Sequence, residues 1–315
     1  MPRGVVLKST GKFYSVLLTT GIETTAVIRG KTRLTLDKST NPIAVGDDVL
    51  LDSFEGDDQL MAIIEIVDRK NYLVRKSTNL SKKRQVIAAN IDLIFLVVTL
   101  KNPITQIGFI DRFLVSAESF RIPVTILFNK IDLLIPEEKR KLDEMAQLYG
   151  KIGYSCYHTS ILSAQTIDLL KKEIDGKQVL FAGNSGVGKS SLINALDPSL
   201  NLRTNEISQT HLQGKHTTTF AEMHPVKSGG FLIDSPGVKA FGLVDLEKEV
   251  ISHYFPEMRD LLNSCKFHNC LHLKEPNCAV KEAVGRGEIS QSRYLSYQQM
   301  MLHDDDEVYR KNDFL

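Results

Sequence analysis

Hydrophobic and polar positions change texture three times along this chain. Between residues 5 and 67 the apolar positions come in short runs broken by turns, and they predict strands over 5–7, 13–18, 24–29, 49–52 and 61–67. Gly11, Gly21, Gly30, the Asn41-Pro42 pair, Gly46 and the turn at 55–58 supply the breaks. Five short strands in about 65 residues suit a small OB-type barrel. From about residue 86 the runs become apolar in the manner of buried strands, at 91–99, 123–128 and 178–182, with helical stretches beginning near Ile110, over 137–149 and over 191–196. Strands that alternate with helices predict a parallel sheet covered on both faces. After Gly242 no strand pattern remains, and residues 288–311 read as helical and polar. The expected fold is therefore multidomain: an all-β OB-type barrel over 1–68, an α/β domain over 69–243, and a mainly helical domain over 244–315.

Charge sharpens this picture. The formal net charge is only +1, but residues 1–36 and 69–84 together carry +12. A polyanion would meet the N-terminal third first, which points to RNA; the plainer reading is a packing module with solvated lysines. The longest strongly apolar stretch, 93–98, is far too short to span a bilayer, and the N-terminus lacks the apolar core of a secretory signal. A cytoplasmic protein with no membrane partner is expected.

The most specific local signal is the run Gly183, Asn184, Ser185, Gly186, Val187, Gly188, Lys189 and Ser190, which reads GxxxxGK[ST]. It follows an apolar strand and opens a helix, with Ser191 next, the context that a phosphate-binding loop requires. Its glycines let successive backbone N–H groups curl around a phosphate chain at a helix N-terminus. Lys189 supplies a point charge to the outer phosphates and Ser190 a hydroxyl for Mg2+.

Asn129, Lys130 and Asp132 form an NKxD run at the end of a predicted strand, where open α/β sheets bind ligands. A carboxylate there accepts hydrogen bonds from both N1–H and the 2-amino group of guanine, whereas adenine leaves it unpaired. Taken alone, the match also fits an Asp132 that caps a helix. Asp234, Ser235, Pro236 and Gly237 follow another short strand; they offer a carboxylate beside Mg2+ and a glycine N–H for the terminal phosphate.

Three cysteines and a histidine are spaced Cys265-x4-Cys270-x-His272-x5-Cys278. Three thiolates and one imidazole fit tetrahedral Zn2+, while a disulfide would leave one cysteine over. His268 is an alternative fourth ligand on spacing alone. Cys156 stands apart and reads as a small core residue.

These elements resemble the guanine-nucleotide motifs of the translation-factor-related GTPases in a permuted order: NKxD, then Thr159 and Ser160, then the phosphate loop, then Gly214-Lys215-His216-Thr217-Thr218-Thr219, then DSPG. With the barrel before them and the cysteine cluster after, they are similar over essentially the whole chain to the bacterial ribosome small subunit-dependent GTPase A family. The resemblance implies a circularly permuted GTPase that binds the small (30S) ribosomal subunit and its 16S rRNA late in assembly, hydrolyses GTP to GDP with Mg2+, and works as a monomer with one structural Zn2+. It places the zinc histidine at His272, implies that Ser160 touches the base, and has Thr218 close over Mg2+ and the γ-phosphate. Val238 follows DSPG, where many GTPases carry a water-orienting glutamine, so His216 becomes the candidate to position water, the alternative being that the partner supplies that group. Two rivals from other classes are an RNA-binding assembly module with a vestigial nucleotide site and a phosphate-loop kinase. Intact Lys189, Ser190, Thr218 and Asp234 count against the first, and Asp132 against the second.

Overall fold

The computed structural model describes residues 1–28, 42–54, 60–76, 84–204, 221–227, 229–235 and 246–302. Strands β1 (Arg3–Ser9), β2 (Tyr14–Leu18), β3 (Glu23–Ile28), β4 (Asp48–Ser53) and β5 (Leu60–Ile66) close into a barrel in the order β1-β2-β3-β5-β4-β1. Of these barrel pairings among the described residues, only β3–β5 is parallel. Val6, Tyr14, Val16, Ala26, Val49, Leu51 and Ile63 fill its interior, as the period-two alternation of a half-buried strand demands. A hairpin, β6 (Tyr72–Lys76) and β7 (Arg84–Ala89), links the barrel to the second unit.

That second unit contains β8 (Leu93–Val98), helix α1 (Ile107–Ser119), β9 (Val124–Asn129), α2 (Pro136–Ile152), β10 (Ser155–Thr159), α3 (Ala164–Ile174), β11 (Gln178–Ala182), α4 (Lys189–Leu196), β12 (Glu222–Pro225) and β13 (Phe231–Asp234). Its strands lie in the order β10-β9-β8-β11-β13-β12, parallel except for β12 at the edge. Both faces of this sheet are covered, which explains why its strands read as unbroken apolar runs. Ile94, Leu96, Val98, Ile126 and Phe128 face α1 and α2, while Phe95, Val97, Val179 and Phe181 face α3 and α4.

Barrel and sheet are continuous. Between Val6 and Lys8 the register of β1 shifts by one residue, and the extra residue, Leu7, is buried in the core beneath α1 rather than in the barrel. Past that bulge β1 pairs with β12, Lys8 opposite Glu222. Arg69 adds a second tie, donating to both carboxylate oxygens of Asp47 at 2.6 and 2.7 Å.

The third unit carries α5 (Ala279–Gly285) and α6 (Gln291–Leu302) and packs on α1, with Val115 inside its apolar core. Arg293 of α6 is fully buried. Its guanidinium donates to Asp111 Oδ1 of α1 at 2.7 Å and to both Glu257 oxygens at 2.7 and 3.1 Å, and it lies 4.5 Å from the centre of the Phe255 ring. The Tyr149 hydroxyl also donates to Asp111, at 2.8 Å. The barrel, the parallel α/β sheet and the C-terminal helices agree with the expected fold class; the hairpin, β10, α3 and β12 add to the predicted elements. Part of the expected helical stretch 288–311 is seen as α6, and residues 303–311 lie outside the described residues. Among the described residues no helix is long and apolar enough to cross a membrane.

Arg293→Met strands the buried Asp111 and the partly buried Glu257 without their cation. The substitution is expected to cost about 3–5 kcal/mol, the scale of breaking a buried ion pair from one side. Urea unfolding measures it, and a loss below about 1 kcal/mol would show that the network does not hold α6 to α1.

Candidate functional site

The phosphate-loop run turns between β11 and α4. Gly183, Gly186 and Gly188 have φ of 141°, 83° and 99°, in the region that favours glycine. Two of them also leave no room for a side chain: a Cβ at Gly183 would stand 2.3 Å from the Val97 carbonyl oxygen, and one at Gly188 2.5 Å from Asn129 Nδ2. Lys189 folds back over the loop and donates to the Gly183 and Asn184 carbonyls, both at 3.0 Å. Burial draws its ammonium down to about 8, against the pull of Asp234. Ser185 and Gly186 are exposed at the mouth, and Ser191 is half-buried in the first turn of α4.

The NKxD run sits on the neighbouring strand end. Asn129 Nδ2 donates to the Val187 carbonyl at 2.9 Å, and its Oδ1 accepts from the Thr159 hydroxyl at 3.0 Å. Lys130, at φ 63°, donates to Gly186 O at 2.7 Å and Asn102 O at 2.6 Å. Burial lowers its pKa, with Asp132 opposing. The Ser160 hydroxyl donates to Asp132 Oδ1 at 2.6 Å. Loops 129–132, 159–160 and 183–190 therefore converge at one edge of the sheet. Thr159 and Asn102 join this constellation without having been singled out as site residues. The pairing of Thr159 with Ser160 is visible in the chain order, but an Asn102 carbonyl leaves no side-chain signature in sequence.

Asp234 ends β13 beside the same loop. Its Oδ2 accepts from the Ser190 hydroxyl at 3.3 Å, and Ser235 Oγ donates to the Phe181 carbonyl at 2.7 Å. Burial raises the Asp234 pKa, while Lys189 and Ser190 oppose the shift. Among the described residues its Oδ1 is buried without a hydrogen-bond partner. An unpartnered carboxylate oxygen beside a serine hydroxyl is an all-oxygen donor set of the kind that suits Mg2+. His216, Thr218 and Gly237 lie outside the described residues.

The second constellation gathers Cys265, Cys270, His272 and Cys278, whose ligand atoms all lie within 4.8 Å of one another. His272 Nδ1 stands 3.5 Å from Cys265 Sγ and 3.4 Å from Cys278 Sγ, and those two sulfurs are 4.0 Å apart. With Zn–S near 2.3 Å, a tetrahedral edge is roughly 3.8 Å, so the set is of the right size for one metal ion. Burial pushes the Cys270 thiol up to about 12; a bound dication reverses that, because coordinated thiols deprotonate. His268 is not part of the cluster. The loop is clamped from outside: Glu275 accepts from the backbone N–H groups of Leu271, Leu273 and Lys274, and Tyr294 and Tyr297 donate to the His272 and Leu271 carbonyls.

Comparison with known proteins places this geometry. The family model described as RsgA GTPase matches residues 66–244. The chain belongs to the RsgA GTPase family. A Christiangramia forsetii protein named small ribosomal subunit biogenesis GTPase RsgA is 47% identical over 99% of both chains. A Flavobacterium psychrophilum protein of the same name is 49% identical over 98% of this chain and 94% of that one. The solved structure of YjeQ from Thermotoga maritima superposes with a TM-score of 0.77 at 36% identity, covering 95% of this chain and 97% of the other. That of YloQ, described as a circularly permuted GTPase, gives 0.72 at 32%, covering 96% and 94%.

The purified protein is expected to carry one zinc ion per chain by elemental analysis. His272→Ala should lose it and His268→Ala should keep it, with loss accompanied by melting of the C-terminal unit, because a structural zinc contributes directly to folding. A zinc-free wild type, or loss in the His268 variant alone, would contradict the ligand set.

Proposed function

We propose that this protein is a Mg2+-dependent GTPase that binds the small (30S) ribosomal subunit through its 16S rRNA and assists late maturation, with GTP hydrolysis to GDP and phosphate setting its departure. The observation that carries the reading is the Asn129 link: it ties a base-reading loop to a phosphate loop in one site. Full-length likeness to proteins named small ribosomal subunit biogenesis GTPase supplies the partner. The division of labour follows 1–68, 69–243 and 244–315: barrel on RNA, GTPase in the centre, zinc-binding unit beside it. On the barrel Lys12 lies over the exposed ring of Phe13 at 5.2 Å, a pairing suited to stacking against unpaired bases. The protein acts as a monomer in the cytoplasm.

In this reading Asp132 and Ser160 read the guanine and Lys130 braces the base-side wall. Gly183 through Ser191 wrap the phosphates, joined by the N–H of Gly237. Lys189 leaves the Gly183 and Asn184 carbonyls for the phosphate oxygens. Ser190, Thr218 and Asp234 would hold Mg2+, which when bound neutralises charge between the β- and γ-phosphates. His216 positions the attacking water, since Val238 cannot hydrogen-bond it.

Turnover of GTP by the purified protein should rise on adding purified small subunits. His216→Ala should keep GTP affinity while the stimulated rate falls by roughly 10²-fold or more. Absence of turnover in both conditions would leave an RNA-binding module; normal turnover by the His216 variant would pass water positioning to another group.

A further inference from the structure

One row of side chains joins the barrel to the cation carboxylate. In the register of the sheet Lys8 lies opposite Glu222, and Glu222 lies opposite Asp234. Lys8 Nζ forms an ion pair with Glu222 Oε1. Residues directly opposite in antiparallel strands share a face, with Cβ atoms roughly 4.5–5.5 Å apart. Glu222 therefore places a second negative charge beside Asp234, and that charge acts on the Asp234 carboxylate, as do Lys189 and His224. The Leu7 bulge is what brings Lys8 to this position. Leu7 is buried in the same apolar core as Ala221 and Met223, which flank Glu222, so the strand cannot slide without emptying that core.

We propose that Glu222 is a positioning residue for the Mg2+ site at Asp234, and that Lys8 of the barrel sets how much of its charge the site receives. The inference rests on the GTPase reading. With Lys8 paired, the Glu222 charge is partly offset. A phosphate group that draws Lys8 away from Glu222 exposes that charge to the cation and strengthens its binding. By reciprocity, a bound cation draws on Glu222 and loosens Lys8. Contact between the barrel and a polyanion is thereby linked to the nucleotide site through a single strand, without movement of either domain. The pair suits this use because it costs little to break: the Lys8 and Glu222 side chains are 50% and 32% exposed, and such pairs are readily exchanged for water or another partner.

The test is binding of a fluorescent non-hydrolysable GTP analogue to the full chain, titrated with Mg2+. Glu222→Gln should raise the Mg2+ concentration for half-maximal binding by roughly three- to ten-fold, the effect of one charge removed at this range. Lys8→Met should lower it by roughly two- to three-fold. Added to Glu222→Gln, Lys8→Met should have no further effect. Lys8 stands two strands, or roughly 10 Å, from Asp234, about a Debye length, and so acts through Glu222. Single variants that match the wild type overturn the proposal, as does a Lys8 effect that persists in the double variant. A wild type whose binding ignores Mg2+ overturns both this inference and the reading beneath it.

Discussion

The Asn129 carboxamide donates to the Val187 carbonyl and accepts from the Thr159 hydroxyl, so one side chain holds three loops that are far apart in sequence. The contact imposes its own demand on the phosphate loop. Nδ2 comes so near the backbone that a Cβ at Gly188 would stand 2.5 Å away. Glycine there is a condition of the two loops meeting at all. Lys130 repeats the link one residue on, through the Gly186 carbonyl. Permuted chain order has no effect on this geometry, because each loop still leaves the same edge of the same parallel sheet.

Around that joint the protein keeps two opposite charges buried. Lys189 and Asp234 are both drawn toward neutrality by burial, and each resists through the other. On the proposed function, the phosphates of a nucleotide and their dication would supply the counter-charge that burial denies these two groups. The flanking units are attached to the same frame. The barrel enters through the Leu7 bulge and the Lys8–Glu222 bridge; the C-terminal unit enters through Arg293, buried between Asp111 and Glu257. Several basic residues that suggest an RNA surface in sequence are engaged at these seams. Arg69 is held by Asp47 and Lys70 by Asp92, so part of the +12 of the N-terminal segments serves the fold.

Much of this architecture is legible in sequence where a residue's environment is uniform. Strands β8, β9 and β11 lie between two helical layers and read as continuous apolar runs. Edge positions are harder. Strand β10 mixes exposed and half-buried residues, β12 is four residues ending in proline, and the basic run at 69–84 masks the hairpin. The phosphate loop and NKxD are local patterns and can be read directly. Thr159 on Asn129, or Arg293 on Asp111 across 182 residues, exists only once the chain is folded. The Lys8–Glu222–Asp234 row has the same origin: it depends on a one-residue bulge that no periodicity marks.

On the proposed function, residues 129–132 read a guanine base held in register with the phosphate loop. Competition binding by Asp132→Asn tests that reading. An amide donates to the 2-oxo group of xanthine where a carboxylate accepts from guanine, and buried mismatches of that kind discriminate strongly. Preference should move from GTP to xanthosine triphosphate, with the phosphate contacts of Lys189 intact. An Asp132→Asn protein that still prefers GTP would contradict the claim.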